Sequence, residues 1–267
     1  MEDTTTSKLI QLFRAVRLLL HIISGLVQSA VYPHLGQSAQ GRMARNWSAV
    51  LLKILRIRLR YSGAVPVAGM ERVMLAANHV SWLDVYSLNA VCPARFVAKA
   101  EIRGWPLLGW LSRNAGTLFI ERTKRSDTAR INTDIGNALV RGDRVAVFPE
   151  GTTSDGTMLR HFHASLLQPA VTAAAILCPV AIRYTDTTGM ISKSAAFADI
   201  SMLESLRRIL RQPWIDVELI FASPIHSSGK NRRELARYAE HAIASALFLP
   251  VPHKTPGKPF DLPVELP

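Results

Sequence analysis

Beyond residue 60, the chain alternates short apolar runs with longer segments of helical periodicity. Helices are expected over 82–91, 105–113, 126–141 and 163–175, and again over 231–248. The apolar runs predict strands at six places: VMLAA (73–77), RFVA (95–98), TLFI (117–120), RVAVF (144–148), ILCPVAI (176–182) and DVELIFA (216–222). Such alternation predicts a single α/β domain, in which helices cover the faces of a central sheet.

The N-terminal region has a different pattern. From Leu18 to Tyr32 there is no Asp, Glu, Lys or Arg, although His21 and several other polar residues interrupt the run. A helix needs about 20 mostly apolar residues to span a membrane, so this segment predicts a helix that lies in or dips into the interface. An ordinary buried helix is the alternative. The chain opens with polar and acidic residues, unlike a signal peptide, and we expect the segment to be retained.

A second segment, ARNWSAVLLKILRIRLRYSG (44–63), mixes apolar side chains with Lys53, Arg56, Arg58 and Arg60. Long basic side chains can reach lipid phosphates while their stems lie along apolar surface. A helix that runs into a strand with a solvated basic edge fits the same pattern, and both interpretations stay open. The predicted organisation is a membrane-associating helical region at 1–60, an α/β domain at 61–249 and a Pro-rich tail at 250–267.

Composition narrows the choice of partner. The 267 residues are 48% hydrophobic and 19% charged, with a mean hydropathy of +0.13, which favours membrane contact. A net charge of +12 suits an anionic bilayer, an acidic carrier protein or a nucleic acid. No pattern of stacking aromatics or of a recognition helix accompanies that charge, so nucleic acid is not expected as a partner. Cys92 and Cys178 lie in apolar surroundings and predict buried thiols in a reducing compartment.

The stretch AANHVSWLDVYS (76–87) places His79 and Asp84 directly after a predicted strand. Five residues correspond to about 140° on a helix, so the two side chains would not share a helix face. They can meet only if His79 lies in the turn and Asp84 in the first helical turn. One imidazole nitrogen would then bond the carboxylate while the other faces a cleft, as a general base requires. The spacing by itself also permits a surface coincidence or a metal site.

Two further strand ends carry polar residues that could bind a substrate. GTLFIERTKRS brings Arg122, Lys124 and Arg125 to a strand end, either to bind phosphate or as a solvated basic loop. VAVFPEGTTSDG follows its strand with Glu150 and Gly151 but lacks the spacing of a P-loop. No G-x-S-x-G elbow follows a strand, so the nucleophile should come from the substrate.

A metal centre is not expected from the histidine content. His161 and His163 stand close together in RHFHASLL, but no acidic or thiol residue is spaced to complete a ligand shell. We therefore expect no metal and no bound cofactor.

Four stretches, in this order, resemble the sequence blocks of the glycerolipid acyltransferases typified by bacterial 1-acyl-glycerol-3-phosphate acyltransferase. They are Asn78-His79-x4-Asp84, Gly116-x-x-Phe119-Ile120-Glu121-Arg122, Phe148-Pro149-Glu150-Gly151-Thr152 and Cys178-Pro179-Val180-Ala181. The resemblance extends over roughly 70–225, and four ordered blocks are far more specific than any one of them. It implies the glycerolipid acyltransferase fold, with a mixed, mostly parallel sheet, preceded by membrane-associating helices.

The resemblance also implies the reaction. An acyl-CoA or acyl-acyl-carrier-protein thioester would donate a fatty acyl group to a lysolipid hydroxyl, most simply that of 1-acyl-sn-glycerol-3-phosphate. His79 would remove the hydroxyl proton, Asp84 would orient the ring, and no acyl-enzyme would form. By the same resemblance, Arg122 and Lys99 would hold the acceptor head group, Glu150 and Gly151 would shape its pocket, and the Pro179 block would support the fold and the acyl site. The implied substrate-binding positions are Asn78, Lys99, Arg122, Glu150, Gly151, Thr152 and Thr153.

One position departs from the family pattern. The third block commonly reads F-P-E-G-T-R-S, and here Thr153 replaces the arginine. A hydroxyl cannot replace the charge of a guanidinium or its two-pronged phosphate contact. The string FPEGTTSDG…FHASLL is more similar to the branch that includes lyso-ornithine lipid acyltransferases, whose acceptor has no phosphate, and both acceptors stay open.

The alternative from another class is a catalytically silent protein that binds lipid or an acyl carrier. On either reading, the expected location is the inner (cytoplasmic) membrane, with the catalytic domain on its cytoplasmic side and an anionic membrane surface as a partner.

Overall fold

The structure, a computed structural model, describes residues 5–67, 69–120 and 125–252. Its helices are α1 (Lys8–Val31), α2 (Gln37–Ile54), α3 (Leu83–Val91), α4 (Leu108–Asn114), α5 (Arg125–Val140), α6 (Gln168–Thr172), α7 (Met202–Arg211) and α8 (Arg232–Leu247). Its strands are β1 (Ile57–Gly63), β2 (Val73–Ala77), β3 (Arg95–Lys99), β4 (Leu118–Ile120), β5 (Val145–Val147), β6 (Ile176–Thr185), β7 (Ile215–Phe221) and β8 (Ile225–His226). The six expected strands are present, and β1 and β8 are additional.

The strands form one sheet in the order β1-β7-β6-β2-β5-β3-β4, and β8 pairs with β6. Pairing is parallel except where β6 meets β7 and β8. This architecture confirms the predicted α/β fold with a mixed, mostly parallel sheet. Parallel strands β2, β5 and β3 are neighbours, so their carboxyl ends lie at one edge of the sheet, where α/β proteins place their sites.

Alternating side chains of β6 separate two apolar cores. Val180, Ile182 and Tyr184 face one core, which also receives side chains from α1, α2, α3 and α7. Leu177 and Ala181 face the other core, with side chains from α5, α6 and α8. The period of two along β6 therefore produces helical layers on both sides of the sheet, because both of its faces are apolar.

Pro179 lies inside β6, although proline cannot donate a hydrogen bond to a neighbouring strand. On the side that faces the antiparallel strands, β6 pairs with β8 at Ile176 and Leu177, and with β7 from Val180 onward. The missing N–H therefore falls where β6 changes partner. The implied supporting role of the Pro179 block in the fold has this local explanation.

Strand β1 agrees with the interpretation of the basic segment as a helix that runs into a strand, and contact of its cations with lipid stays a prediction. Helix α2 ends at Ile54, and the chain then runs parallel to β7 at the edge of the sheet. Arg58 and Arg60 are exposed along this edge, and the Arg58 guanidinium lies 4.0 Å from the centre of the Trp214 ring. Exposed charges protect an edge strand from pairing with other chains. The boundary expected at residue 60 falls inside β1.

Helix α1 exposes most of its apolar side chains. Its 8–34 segment is long and apolar enough to cross a membrane by length and composition, and only 17% of its most apolar window is buried. The alternative of an ordinary buried helix is therefore wrong. Gly25 lets α1 approach α2 closely, because a Cβ there would lie 2.8 Å from the indole Nε1 of Trp47.

A buried guanidinium fastens α1 to the rest of the chain. Arg14 is 3% exposed, and it donates hydrogen bonds to the carbonyls of Leu210 and Gln212 at 2.8 Å and of Leu55 at 2.6 Å. These carbonyls lie at the C-terminal ends of α7 and α2, where intrahelical donors are missing. Arg14 thus caps two helices of the α/β domain from a third helix.

Candidate active site

The first and third sequence blocks meet at the carboxyl ends of β2 and β5. His79 stands two residues after β2, and Glu150 stands three residues after β5. The two strands pair in parallel, with Met74 opposite Val145 and Ala76 opposite Val147. Two loops that are distant in sequence are therefore adjacent at this edge of the sheet.

His79 and Asp84 are in direct contact. His79 lies in the turn after β2, and Asp84 is the second residue of α3, the arrangement that the spacing required for them to meet. The Nδ1 of His79 lies 2.7 Å from the Oδ2 of Asp84. Because a carboxylate only accepts, Nδ1 carries the proton and Nε2 presents a lone pair. No residue in the described ranges hydrogen-bonds this Nε2, and the His79 side chain is 20% exposed.

The Asp84 carboxylate is fully buried and receives four hydrogen bonds. Its Oδ2 accepts from His79 and from the backbone N–H groups of Val80 (2.8 Å) and Ser81 (3.0 Å). Its Oδ1 accepts from the Tyr184 hydroxyl at 2.8 Å. A buried carboxylate needs such donors to remain charged, and together they hold its orientation.

The loop after β5 forms hydrogen bonds with both the backbone N–H and the backbone carbonyl of His79. The Oε1 of Glu150 accepts the His79 N–H at 2.8 Å, and the Ser154 N–H donates to the His79 carbonyl at 2.8 Å. The Phe148 ring stacks on the imidazole, with centroids 4.0 Å apart and an interplanar angle of 10°. Gly151, with φ of +77°, allows the tight turn that brings these groups together. The third block therefore positions the histidine of the first.

Glu150 is buried, and its second oxygen accepts the backbone N–H of Arg160 at 3.2 Å. Burial raises the pKa of Glu150 to about 7, although the N–H groups of His79 and Arg160 act in the opposite direction. Both carboxylate oxygens face the protein backbone. Glu150 thus supports the His79 turn from within.

Asn78 and Thr153, which the resemblance assigned to substrate binding, form hydrogen bonds to the protein backbone in the structure, and their contact with substrate stays a prediction. The amide of Asn78 donates to the Ile182 carbonyl at 3.0 Å and accepts the Ile182 N–H at 2.7 Å. The hydroxyl of Thr153 donates to the carbonyl of Phe197. Asn78 therefore fastens the His79 turn to β6, and Thr153 fastens the loop after β5. Thr152, between these contacts in the fold, is exposed.

The remaining predicted positions differ in what can be said of them. Lys99 is exposed at the end of β3, on the edge of the sheet that carries His79. Glu121, Arg122 and Lys124 lie outside the described residues. In the described part of the chain, no three His, Cys, Asp or Glu residues are grouped as metal ligands. His161 instead lies 3.1 Å from the buried carboxylate of Glu240 on α8.

An apolar cavity of about 150 Å³ opens between α1, α2, α3, α4 and β3. Phe96 lines it and stacks on Phe148 at a centroid distance of 6.0 Å, and Phe148 in turn stacks on His79. A continuous row of rings therefore joins the cavity to the imidazole. Most of the other lining side chains are apolar or small: Gly25, Tyr32, Met43, Ala44, Trp47, Val85, Tyr86, Ala94, Leu111 and Ala115.

Sequence reasoning missed Ser81 and Tyr184. Ser81-Trp82-Leu83-Asp84 matches the pattern of a helix capping box, and the Ser81 hydroxyl accepts the Leu83 N–H while Asp84 accepts the Ser81 N–H. This signal supports the helix start that was expected just before Asp84, and it could have identified Ser81. Tyr184 lay outside the expected strand, which ended at residue 182, whereas β6 continues to Thr185.

Known proteins resemble this chain in sequence and in fold. Residues 58–183, which run from β1 into β6 and include all four blocks, match the family model described as Acyltransferase. A lyso-ornithine lipid O-acyltransferase of Pseudomonas aeruginosa is 41% identical over 207 residues, which cover 78% of this chain and 79% of that protein. A 1-acyl-sn-glycerol-3-phosphate acyltransferase of Neisseria gonorrhoeae is 43% identical over 149 residues, which cover 56% of this chain and 58% of that protein.

A solved structure has the same fold. The crystal structure of the 1-acyl-sn-glycerophosphate (LPA) acyltransferase PlsC from Thermotoga maritima aligns with a TM-score of 0.61 at 22% identity. The alignment covers 88% of this chain and 96% of that chain, so most of this chain shares that fold.

Proposed function

This chain belongs to the acyltransferase family, and we propose that it transfers a fatty acyl group from a thioester donor to the free hydroxyl of a lysolipid. The observation that carries the proposal is the His79–Asp84 pair, whose Nε2 is free of bonds from the described residues. The rings of Phe148 and Phe96 connect its imidazole to the apolar cavity. This geometry suits a base that acts on a bound hydroxyl.

The reaction needs one base, and no acyl-enzyme forms. Nε2 of His79 takes the proton of the acceptor hydroxyl as its oxygen attacks the thioester carbonyl carbon. Asp84 stabilises the imidazolium that forms, since its carboxylate is held by four donors. The tetrahedral intermediate then expels the thiolate, which takes the proton from Nε2 and leaves as a thiol. The new ester and the free base complete the cycle.

The apolar cavity is a candidate site for part of the acyl chain of the donor. A thioester carbonyl at the imidazole can extend its hydrocarbon along the ring row of Phe148 and Phe96 into the space between the helices. Burial of each CH₂ there is favourable by about 0.8 kcal/mol. Acyl-CoA and acyl-carrier-protein donors are both anionic, in keeping with the net charge of +12.

Two acceptors are candidates, each favoured by a separate observation. The Thr153 hydroxyl bonds the Phe197 carbonyl and brings no charge to the site, which favours the phosphate-free lyso-ornithine lipid. The backbone of Arg160 bonds Glu150, which places a basic residue close to the His79 turn, and Lys99 ends a neighbouring strand. These cations favour 1-acyl-sn-glycerol-3-phosphate, which would become phosphatidic acid.

A membrane location follows from the proposed substrates and from α1. Leu9, Leu12, Phe13 and Val27 are exposed along this helix, and an apolar surface of this extent on the protein requires an apolar partner. We expect the enzyme on the inner (cytoplasmic) membrane with its α/β domain in the cytoplasm. Complete release of the protein from membranes by carbonate or high salt would contradict an embedded α1.

His79→Ala tests the proposed base. We expect the purified variant to fold, as judged by circular dichroism, and to lose acyl transfer to lysolipids in detergent. Asp134→Ala, an exposed substitution on α5, is the control and should keep full activity. Substantial activity of His79→Ala would contradict the role of His79. A wild-type protein that binds acyl-CoA but turns over none of the lysolipids would instead be the catalytically silent binder.

An acceptor panel identifies the substrate. Initial rates with 1-acyl-sn-glycerol-3-phosphate, other lysophospholipids and lyso-ornithine lipid, each with acyl-CoA and with acyl-carrier protein, separate the two acceptors and the two donors. Preference for lyso-ornithine lipid agrees with the neutral Thr153. Preference for the phosphate acceptor should fall when Arg160 or Lys99 is changed to Met.

A further inference from the structure

We propose that Tyr184 is a positioning residue for acyl transfer, which holds the Asp84 carboxylate in the orientation that keeps His79 active. This inference rests on the proposed function. Tyr184 lies one residue beyond the segment that matches the acyltransferase family model. It is also 100 residues from Asp84 in the chain.

The contact follows from the course of β6. Tyr184 lies on the face of β6 that is turned toward α3, and it is 2% exposed. A phenol buried at this depth needs a partner for its hydroxyl, and the partner is the Oδ1 of Asp84 at 2.8 Å. Burial and the Asp84 charge raise the pKa of Tyr184 well above its usual value, so the hydroxyl stays protonated and donates.

A second hydroxyl extends the contact. The Ser87 Oγ lies 3.4 Å from the Tyr184 hydroxyl, one turn after Asp84 on α3. The Tyr184 hydroxyl has one proton, which it donates in the hydrogen bond to Asp84. Ser87 must therefore be the donor in its contact with Tyr184. The hydrogen bonds from Ser87 to Tyr184 and from Tyr184 to Asp84 therefore run in one direction and end at the Asp84 carboxylate, which also accepts the Nδ1–H of His79. Such chains strengthen one another in a buried environment.

The four donors of Asp84 divide into two groups. The Oδ2 oxygen receives His79 and two backbone N–H groups of the same turn, which come with the local fold. Tyr184 is the sole described donor to Oδ1, and it comes from a different element. Without it, Oδ1 would be buried and unsatisfied, and the carboxylate could rotate about its Cβ–Cγ bond. Oδ2 would then no longer be aimed at Nδ1.

Tyr184→Phe tests the inference, with Tyr238→Phe as the matched control. Both tyrosines are 2% exposed, and the Tyr238 hydroxyl donates to the Ser223 carbonyl at 2.8 Å, away from His79. A hydrogen bond to a charged group contributes about 1.5–3 kcal/mol, so we expect Tyr184→Phe to lower kcat by roughly tenfold or more. KM for the donor and for the acceptor should change little. Tyr238→Phe should leave both constants near those of the wild type.

The pH profile of kcat separates positioning from a general loss of stability. Tyr184→Phe changes the contact between the Asp84 carboxylate and the imidazole, so it should move the acid limb relative to Tyr238→Phe, whereas a general loss of stability would lower kcat without moving the limb. Glu150, from the loop after β5, with Arg160 beside it, also faces the His79 turn. Both are unchanged in the two Tyr→Phe variants, and the difference between these variants therefore reports on Tyr184.

Ser87→Ala provides a second variant that retains the tyrosine. It should lower kcat by roughly threefold and move the acid limb in the same direction, because the hydrogen bond it removes is longer and one step further away. If Tyr184→Phe does not fold, a Ser87→Ala profile identical to the wild type overturns the inference. Equal kcat and pH profiles for Tyr184→Phe and Tyr238→Phe also overturn it. A wild-type protein inactive toward every lysolipid would instead refute the proposed function itself.

Discussion

The His79 turn and helix α1 differ in which side chains they bury and which they expose. In the turn, Asp84 and Glu150 are buried, and all four of their carboxylate oxygens accept hydrogen bonds. In α1, apolar side chains such as Leu9, which is 77% exposed, face outward while the charged Arg14 is buried. The turn therefore buries hydrogen-bonded carboxyl groups, whereas α1 exposes the apolar side chains that a protein interior usually contains.

The difference teaches how each region is stabilised. The turn is held by directional bonds from three elements, so its geometry is rigid and specific. Water does not stabilise the exposed apolar face of α1. The opposite face of the helix is joined to the rest of the chain by packing around Leu18 and by the hydrogen bonds from Arg14 to backbone carbonyls. Polar substitutions should therefore affect catalysis in the turn and stability in α1.

Asp84→Asn should have the largest effect. The amide can donate to Nδ1, which would move the imidazole proton to Nε2 and remove the base. We expect kcat to fall on the order of 10³-fold or more, as in other His–Asp pairs that lose the carboxylate. The measurement is the initial rate at saturating donor and acceptor, with Asp134→Asn on α5 as the control. A loss below about tenfold would mean that Asp84 has only a structural role.

Arg14→Met should have the next largest effect, on stability. The substitution leaves the carbonyls of Leu55, Leu210 and Gln212 without their donor in a buried place. We expect the free energy of unfolding in detergent to fall by about 3 kcal/mol. Arg17→Met is the matched control, because the exposed Arg17 contacts only the Phe13 ring among the bonds and ring contacts described for it, and it should change stability by less than about 1 kcal/mol. Equal losses in the two variants would contradict the capping role.

Glu150→Gln should make stability less dependent on pH. Burial raises the pKa of Glu150 to about 7, from 4.5 in the unfolded chain. Between these values the native protein binds more protons than the unfolded chain, so stability falls as the pH rises through this window. The loss should reach about 3 kcal/mol above pH 7. Glu150→Gln lacks this contribution.

Urea unfolding of the wild type and of Glu150→Gln at about pH 5 and about pH 8 measures this contribution. The free energy of unfolding of the wild type, relative to that of Glu150→Gln, should be lower at the higher pH. The same measurement on Glu234→Gln, at the exposed start of α8, controls for a carboxylate at the surface. A difference between the wild type and Glu150→Gln that does not vary with pH would rule out the raised pKa.

Ala44→Leu should have the smallest effect and should depend on the substrate. Ala44 lines the cavity between the helices, and a larger side chain there shortens the space for an acyl chain. We expect rates with palmitoyl donors to fall by about tenfold, which corresponds to about 1.4 kcal/mol, and rates with decanoyl donors to change little. Ala49→Leu, on the exposed side of α2, should affect neither donor. An equal loss with both donors would place the acyl chain elsewhere.

Much of the site was predictable from local sequence. The runs at 73–77 and 144–148 identified β2 and β5, and the residues that follow each run form the core of the site. Their positions follow from the chain itself, because a parallel sheet brings strand ends to one edge. The contact between His79 and Asp84 needed only a turn and a helix start, which five residues contain.

The directions of several side chains were not predictable in this way. Glu150 and Asn78 were expected to face the substrate, and both bond to backbone groups of other elements. Arg122 lies within 121–124, outside the described residues, and its role stays a prediction. The choice between lipid contact and strand for Arg58 was open because the same basic and apolar alternation suits both.

The sequence by itself determined most of the elements and the fold class, and it placed His79 and Asp84 where they could meet, because these depend on periodicity and on short spacings. Only the tertiary structure decided what supports that pair. The strand order β6-β2-β5 brings Tyr184 and Glu150 to either side of the turn, from 100 and 71 residues along the chain. Contacts across neighbouring strands are set by the packing of the whole sheet, and no local pattern of residues contains that information.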